Sequence, residues 1–344
     1  MALEPDPDLL SCFASMWKTS GSPLPPFVPD QEISQIASAL AEQFNSFCRD
    51  TLATRTYTDG VSSLTFQFLP RREVNAYAFR RDQNAFIAAN LGVLAALLSS
   101  ARILLGHPEL RSLFEEVQGS ALDIDNLSAL IMVCGATFLI AHEVAHHYNA
   151  HLYYLCAQPR EMILDESPEP WKGRTEEFID RQALELHADS FALDSTIRNL
   201  NDQSWRDEAM ALLNIRCSSA ESATLCATSL AVAFLIIFLT LRFSKEDGGD
   251  QQSVISQTDH PTPHLRLLHA LSRVSREDEH DGLPPKATVR LLTVIEMAWP
   301  GSNLKDWLLR KTDITKTEAA QSYLKSLWER VDHLSRILRE HRWR

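Results

Sequence analysis

From Ala223 to Leu241 the chain reads ATLCATSLAVAFLIIFLTL, without one charged residue. A helix made from that run has no polar face, so lipid or protein must cover it all round. Its length is about that of a bilayer-spanning helix. The alternative cover is the interior of a large domain. A chain of 344 residues, 45% apolar and 23% charged, is long enough to build one. We therefore expect a buried core helix, with membrane association through 223–241 as the less favoured reading. The N-terminal MALEPDPDLL has neither the basic start nor the apolar core of a secretory signal. Cytoplasmic location is the expectation, with the cytoplasmic side of a membrane as the alternative.

The formal net charge of -12 excludes a general nucleic-acid binder, which needs a concentrated basic surface to neutralise phosphates. The six cysteines are scattered, with no close pair of the metal-knuckle or redox type. Cys134 and Cys226 fall in apolar runs, where a thiol acts as a small core residue. Reduced structural cysteines fit a cytosolic chain.

Gly21 to Asp30 is proline-rich and should be extended. From Gln31 to about Thr54 the spacing of Ile33, Ile36, Leu40, Phe44 and Phe47 is helical. Leu64–Leu69 alternates as a strand does, and Phe86–Ala89 reads as a second strand followed by a helix through Leu91, Leu94, Leu97 and Leu98. Asp125 or Asn126 is positioned to cap a long helix running on past Ile140. Pro159–Gly173 reads as a loop, Thr175–Arg198 as a helix, and Glu246–Gln257 as a polar loop. The stretch from Pro263 onwards is largely helical by pattern. The expected organisation is an N-terminal helical segment (1–60), a catalytic domain (61–275) and a C-terminal helical region (276–344), mainly helical and α+β in class.

The chemistry is concentrated in His142-Glu143-Val144-Ala145-His146. Residues four apart share one face of a helix, so both imidazoles can point at one ion. Glu143 is turned by about 100° around the axis, close enough to reach a water on that ion without being a ligand. Zinc lowers the pKa of such a water from 15.7 to roughly 7. Glu143 would then take the proton and pass it to the leaving amine.

A third ligand is required, and two candidates exist. His151 lies in the same stretch, but a three-histidine site needs a glycine to break the helix and a histidine ten positions after the first. Asn149 and Leu152 occupy those places. His151 is instead expected at a helix end near the site. Glu185 is the better candidate, in Ala183-Leu184-Glu185-Leu186-His187-Ala188-Asp189. Asp189 is one turn beyond Glu185 on the same face and can accept from the free ring N–H of His142 or His146. The apolar neighbours Ala183, Leu184, Ala188, Phe191 and Ala192 draw that helix inward.

Two more segments carry expectations. Val74–Phe79 with Phe86–Ala89 can supply an edge strand beside the active-site helix. An edge offers unpaired backbone groups to an extended peptide, here through Asn75 and Ala76. His260, before Pro261 and Arg266, can donate to a tetrahedral oxyanion, in competition with His264, Tyr148, Tyr153 and Tyr154.

In order, HEVAH, ELHAD and HPTPHLR resemble the HExxH…ExxAD…HP…R pattern of the gluzincin zinc peptidases, the prenyl (CAAX-type) and HtpX-like endopeptidases in particular. VNAYAF is similar to the Asn-Ala segment that precedes the active-site helix in those enzymes, and HEVAHHYNAHL resembles the Lit-type phage-exclusion peptidases of bacteria. The resemblance spans about Val74 to Leu271. It implies a zincin-like domain, zinc on His142, His146 and Glu185, Glu143 as base, Asp189 behind a ligand histidine and His260 as a transition-state contact. It also implies an intracellular protein or peptide substrate. The sequence departs from the pattern at Ala150, where many relatives have glycine, and in placing one apolar run after ELHAD. Three rival functions remain: a housekeeping quality-control peptidase, a degenerate zincin acting as a binding or regulatory module, and a membrane-anchored scaffold that rests on the apolar run alone.

Overall fold

The computed structural model describes residues 27–54, 61–81, 83–118, 123–156, 163–165, 175–243, 266–267, 269–270 and 318–342. In chain order these form α1 (Gln31–Thr54), β1 (Ser63–Leu69), β2 (Ala76–Arg81), β3 (Asn84–Asn90), α2 (Leu91–Leu105), α3 (Pro108–Gln118), α4 (Ile124–Tyr148), α5 (His151–Cys156) and β4 (Ile163–Asp165). Then come α6 (Thr175–Asn201), α7 (Gln203–Leu212), α8 (Ser219–Phe243) and α9 (Glu318–Ile337), closed by a 3-10 turn at Leu338–Glu340. The fold is mainly helical and α+β, as expected. It divides into two compact units, one of Met1–Ala96, Glu143–Ser167 and Leu338–Arg344, the other of Leu97–His142 and Pro168–Ile337. The division falls inside α4.

The first unit is built on a four-stranded sheet of order β1-β3-β2-β4. β1 runs parallel to β3, Ser63 opposite Asn84, while β2 is antiparallel to β3, Ala76 opposite Ala89. Helix α1 starts where the Asp30 carboxylate accepts from the Ile33 amide at 2.9 Å. It packs on β1, fixed by Asn45, whose side chain both accepts from and donates to the Phe66 backbone, at 3.0 and 2.9 Å. Ile33, Ile36, Leu40 and Phe44 are buried as the periodicity predicts, but Phe47 is 48% exposed and Cys48 takes the inner position. Ala37, Ala41, Phe44 and Cys48 continue the buried row at three- and four-residue steps, which leaves 47 on the flank.

The expected edge strand sits one place further in. β2 is paired on both sides, because Ile163–Asp165 forms a short strand against Tyr77–Phe79 within the stretch expected to be all loop. The outer strands among the described residues are β1 and β4. Gly92 opens α2 where the chain leaving β1 passes close by. A Cβ there would stand 1.9 Å from the Arg72 carbonyl oxygen, so only glycine fits.

The second unit is a helical core in which α2, α4 and α8 meet at Gly135. A Cβ on that glycine would lie 3.1 Å from Ala233 Cβ and 3.1 Å from a Leu97 methyl. Phe138 stands edge-on to Phe234 at 4.8 Å and Phe238 at 6.4 Å, and the apolar run from Leu225 is buried on successive residues from Leu230 to Phe238. Helix α4 is capped from Asp123, whose carboxylate accepts from the Asp125 amide at 2.9 Å. Asp125, expected as a cap, lies inside the first turn and pairs with Arg102 at 2.9 Å. Among the described residues two helices are long and apolar enough to cross a membrane, α4 and the Ser219–Phe238 part of α8, and most of each is buried inside the protein.

Helix α9 packs along α6. Arg330 forks onto the Asp180 carboxylate, Tyr323 bonds the Gln182 side chain, and Leu327 packs with Leu186. These contacts hold the turn of α6 immediately before Glu185.

Candidate active site

Helix α4 is apolar for most of its length and then places His142, Glu143, His146 and His147 in its last two turns. All four are buried, as are Glu185 and Asp189 on α6, each of these six 4% exposed or less. Buried charge and imidazole are tolerated only with partners, so each partner is informative.

His142 has a carboxylate at each ring nitrogen. Its Nδ1 lies 2.9 Å from Asp189 Oδ1, and its Nε2 lies 3.1 Å from Glu185 Oε2. Asp189 is in turn clamped by Arg266, Nε to Oδ2 at 2.7 Å and the second guanidinium nitrogen to Oδ1 at 2.8 Å. Burial pushes the Asp189 carboxyl up, but Arg266 and His142 together outweigh it and hold the group below its ordinary value. Asp189 therefore stays ionised 2.9 Å from His142 Nδ1, a charge that favours the proton on that ring nitrogen. The Nε2 lone pair of a neutral His142 then faces a carboxylate oxygen, and two acceptors at 3.1 Å require a proton or a cation between them.

His146 is one turn further along α4. One ligand atom each from His142, His146 and Glu185 lies within 4.8 Å of the others, a group able to hold a metal ion. Spacing brings this about: i and i+4 on α4 give two imidazoles on one face, and α6 supplies the carboxylate 43 residues later. Asp189, one turn past Glu185, thus serves His142 of the two histidines open to it from sequence.

Helix α4 ends in a left-handed turn. Ala150 has φ 60°, a conformation that favours glycine, and its amide bonds the His147 carbonyl at 3.0 Å. The turn sends α5 back so that His151 Nδ1 lies 3.0 Å from His146 Nδ1. His151, expected near a helix end, is fully buried there. His147 faces the other way, Nε2 to the Phe86 carbonyl of β3 at 3.0 Å. Burial is the largest influence on that imidazole and pulls it down to about 4, so it stays neutral and donates.

Other expected residues have partners of their own. Asn75 is buried at the start of β2, its side chain accepting from the Ala76 amide at 3.0 Å and its carbonyl from the Asn90 amide at 2.9 Å. Ala76 is paired with Ala89. Tyr153 stacks on His341, ring centres 3.8 Å apart. His260 and His264 lie outside the described residues. The Arg266 clamp and the α9 contacts on α6 were not read from the sequence. The arginine after His260-Pro261 was the available signal for the first.

No curated protein and no solved structure matches the chain. Residues 123–285, just under half of the chain, match the family model of Peptidase U49, and that stretch includes HEVAH, ELHAD and Arg266. The match supports a peptidase.

Proposed function

We propose that this chain is a zinc-dependent endopeptidase, with His142, His146 and Glu185 as ligands and Glu143 as general base. The observation that carries the reading is the meeting of the His142 Nε2 lone pair and Glu185 Oε2 at 3.1 Å, with His146 in the same group. Two imidazole nitrogens and one carboxylate oxygen are the donor set of catalytic zinc, whereas calcium and magnesium take oxygen-rich sites. Bonds of about 2.0–2.2 Å in a tetrahedron put donors roughly 3.3–3.5 Å apart, close to the separation of those two atoms. Zinc bound there would polarise a scissile carbonyl and ease the ionisation of a water.

The remaining work falls to the protein. Asp189 holds the Nδ1 proton of His142 and so presents Nε2 as a donor. Arg266 keeps Asp189 ionised. Glu143, about 100° around the helix from His142, accepts the water's proton on its carboxylate and delivers it to the leaving amine. No side-chain nucleophile is needed, so no covalent acyl intermediate forms. The substrate in this reading is an intracellular protein, cut in phage exclusion as the Lit-type resemblance implies. Helix α8 acts as a core helix of a cytoplasmic protein. His260 is retained as the candidate oxyanion donor.

Glu143→Gln tests the assignment, because it removes the base and leaves every ligand. Metal analysis should give unchanged zinc, while cleavage of a verified protein substrate falls by about 10²–10⁴-fold. Cleavage at the wild-type rate sinks the mechanism.

A further inference from the structure

We propose that His151 is a positioning residue that fixes His146 for the cation, as Asp189 fixes His142. The inference rests on the zinc reading above. His146 Nδ1 and His151 Nδ1 are 3.0 Å apart, with the rings inclined at 68°, and both side chains are within 1% of complete burial. Two ring nitrogens at that distance share one proton, because a pair of lone pairs repels and a pair of N–H groups collides. The contact engages Nδ1 of His146, so the cation is assigned to Nε2.

The direction of the bond follows. A neutral imidazole that coordinates through Nε2 carries its proton on Nδ1. His146 therefore donates, and His151 accepts through an Nδ1 lone pair, with its own proton on Nε2. The arrangement parallels that of the first ligand, with one difference. His142 leans on an ionised carboxylate backed by Arg266, whereas His146 leans on an uncharged ring.

The backbone supports a built contact. His151 reaches back only because Ala150 adopts φ 60°, which L side chains adopt reluctantly. A strained residue between a ligand and its neighbour is where function tends to be stored. A three-histidine site fails on spacing, and His151 enters behind the ligands instead.

The test measures zinc affinity of the full-length apo protein by competition with a chromophoric chelator. His151→Leu keeps the bulk and removes the acceptor, and should weaken zinc roughly 10–100-fold. His151→Asn places an amide oxygen where Nδ1 stood and should stay within about threefold of wild type. Equal affinity for His151→Leu and wild type overturns the proposal, and so does equal weakening by Leu and Asn. A wild-type chain that takes up no zinc instead overturns the metal reading beneath it, in the same titration. A second measurement needs no variant. Nitrogen-15 spectra of the zinc-loaded wild type should show Nδ1 protonated on His146 and unprotonated on His151. The reverse pattern overturns the assignment.

Discussion

Helices α4 and α8 are near twins by composition, yet they do different things. Each has 25 residues, each is apolar enough to cross a membrane, and most of each is buried. On α8 the buried hydroxyls of Ser222 and Thr228 return to carbonyls of their own helix, Ser219 at 2.8 Å and Thr224 at 2.8 Å. Ser222 also accepts from Arg206 Nε on α7 at 3.3 Å, so such groups ask little of the rest of the chain. On α4 the last two turns bury His142, Glu143, His146 and His147, and the partners of the three histidines are Asp189, Glu185, His151 and Phe86. Apolar burial locates a helix and tolerates many sequences. Polar burial at the end of the same kind of helix specifies partners one by one, which is what a reacting site requires.

The likeness of the two helices fails most visibly if either faces lipid. Both are read as core helices, so after carbonate washing and high-speed sedimentation the chain should remain in the soluble fraction. Retention in the membrane pellet would mean that at least one of the two faces lipid and is not a core helix.

The next effect concerns the polar end alone. Arg266→Met leaves the buried Asp189 carboxylate without its guanidinium, and should cost about 3–5 kcal/mol in urea unfolding. A loss under about 1 kcal/mol, the size of an exposed ion pair, would mean that Asp189 is hydrated rather than clamped.

The smallest effect is at the turn leaving α4. Ala150→Gly relieves a left-handed alanine, worth about 1–2 kcal/mol, against about 0.5–1 kcal/mol of added unfolded-chain freedom. A net gain of about 0.5 kcal/mol is expected from thermal melting. A clear loss would show that the alanine methyl, buried in the turn, contributes packing that outweighs the backbone strain.

Periodicity made much of this legible in the sequence. The i, i+4 pairs His142/His146 and Glu185/Asp189 announce their faces, and the alternation in Leu64–Leu69 announces β1. Signals failed where the deciding contact is remote or too short to repeat. β4 has three residues and no period, so a proline- and acid-rich stretch read as loop conceals it. The cap of α4 is Asp123 rather than Asp125 because several acids in a row compete and only backbone geometry chooses. Which histidine Asp189 serves depends on how α6 lies against α4, which no local pattern encodes. The pairing of Asp180 with Arg330, 150 residues away, is equally invisible. His151 shows both limits: spacing removed it from the ligand set, and only the turn at Ala150 reveals what it touches.

Whether two imidazoles and the α6 carboxylate hold one divalent cation is decided by elemental analysis of the purified protein. After dialysis against metal-free buffer and reloading, the wild-type chain should carry about one zinc, and Glu185→Ala should lose most of it. A wild-type chain that remains metal-free, or a Glu185→Ala variant with undiminished zinc, would contradict the account.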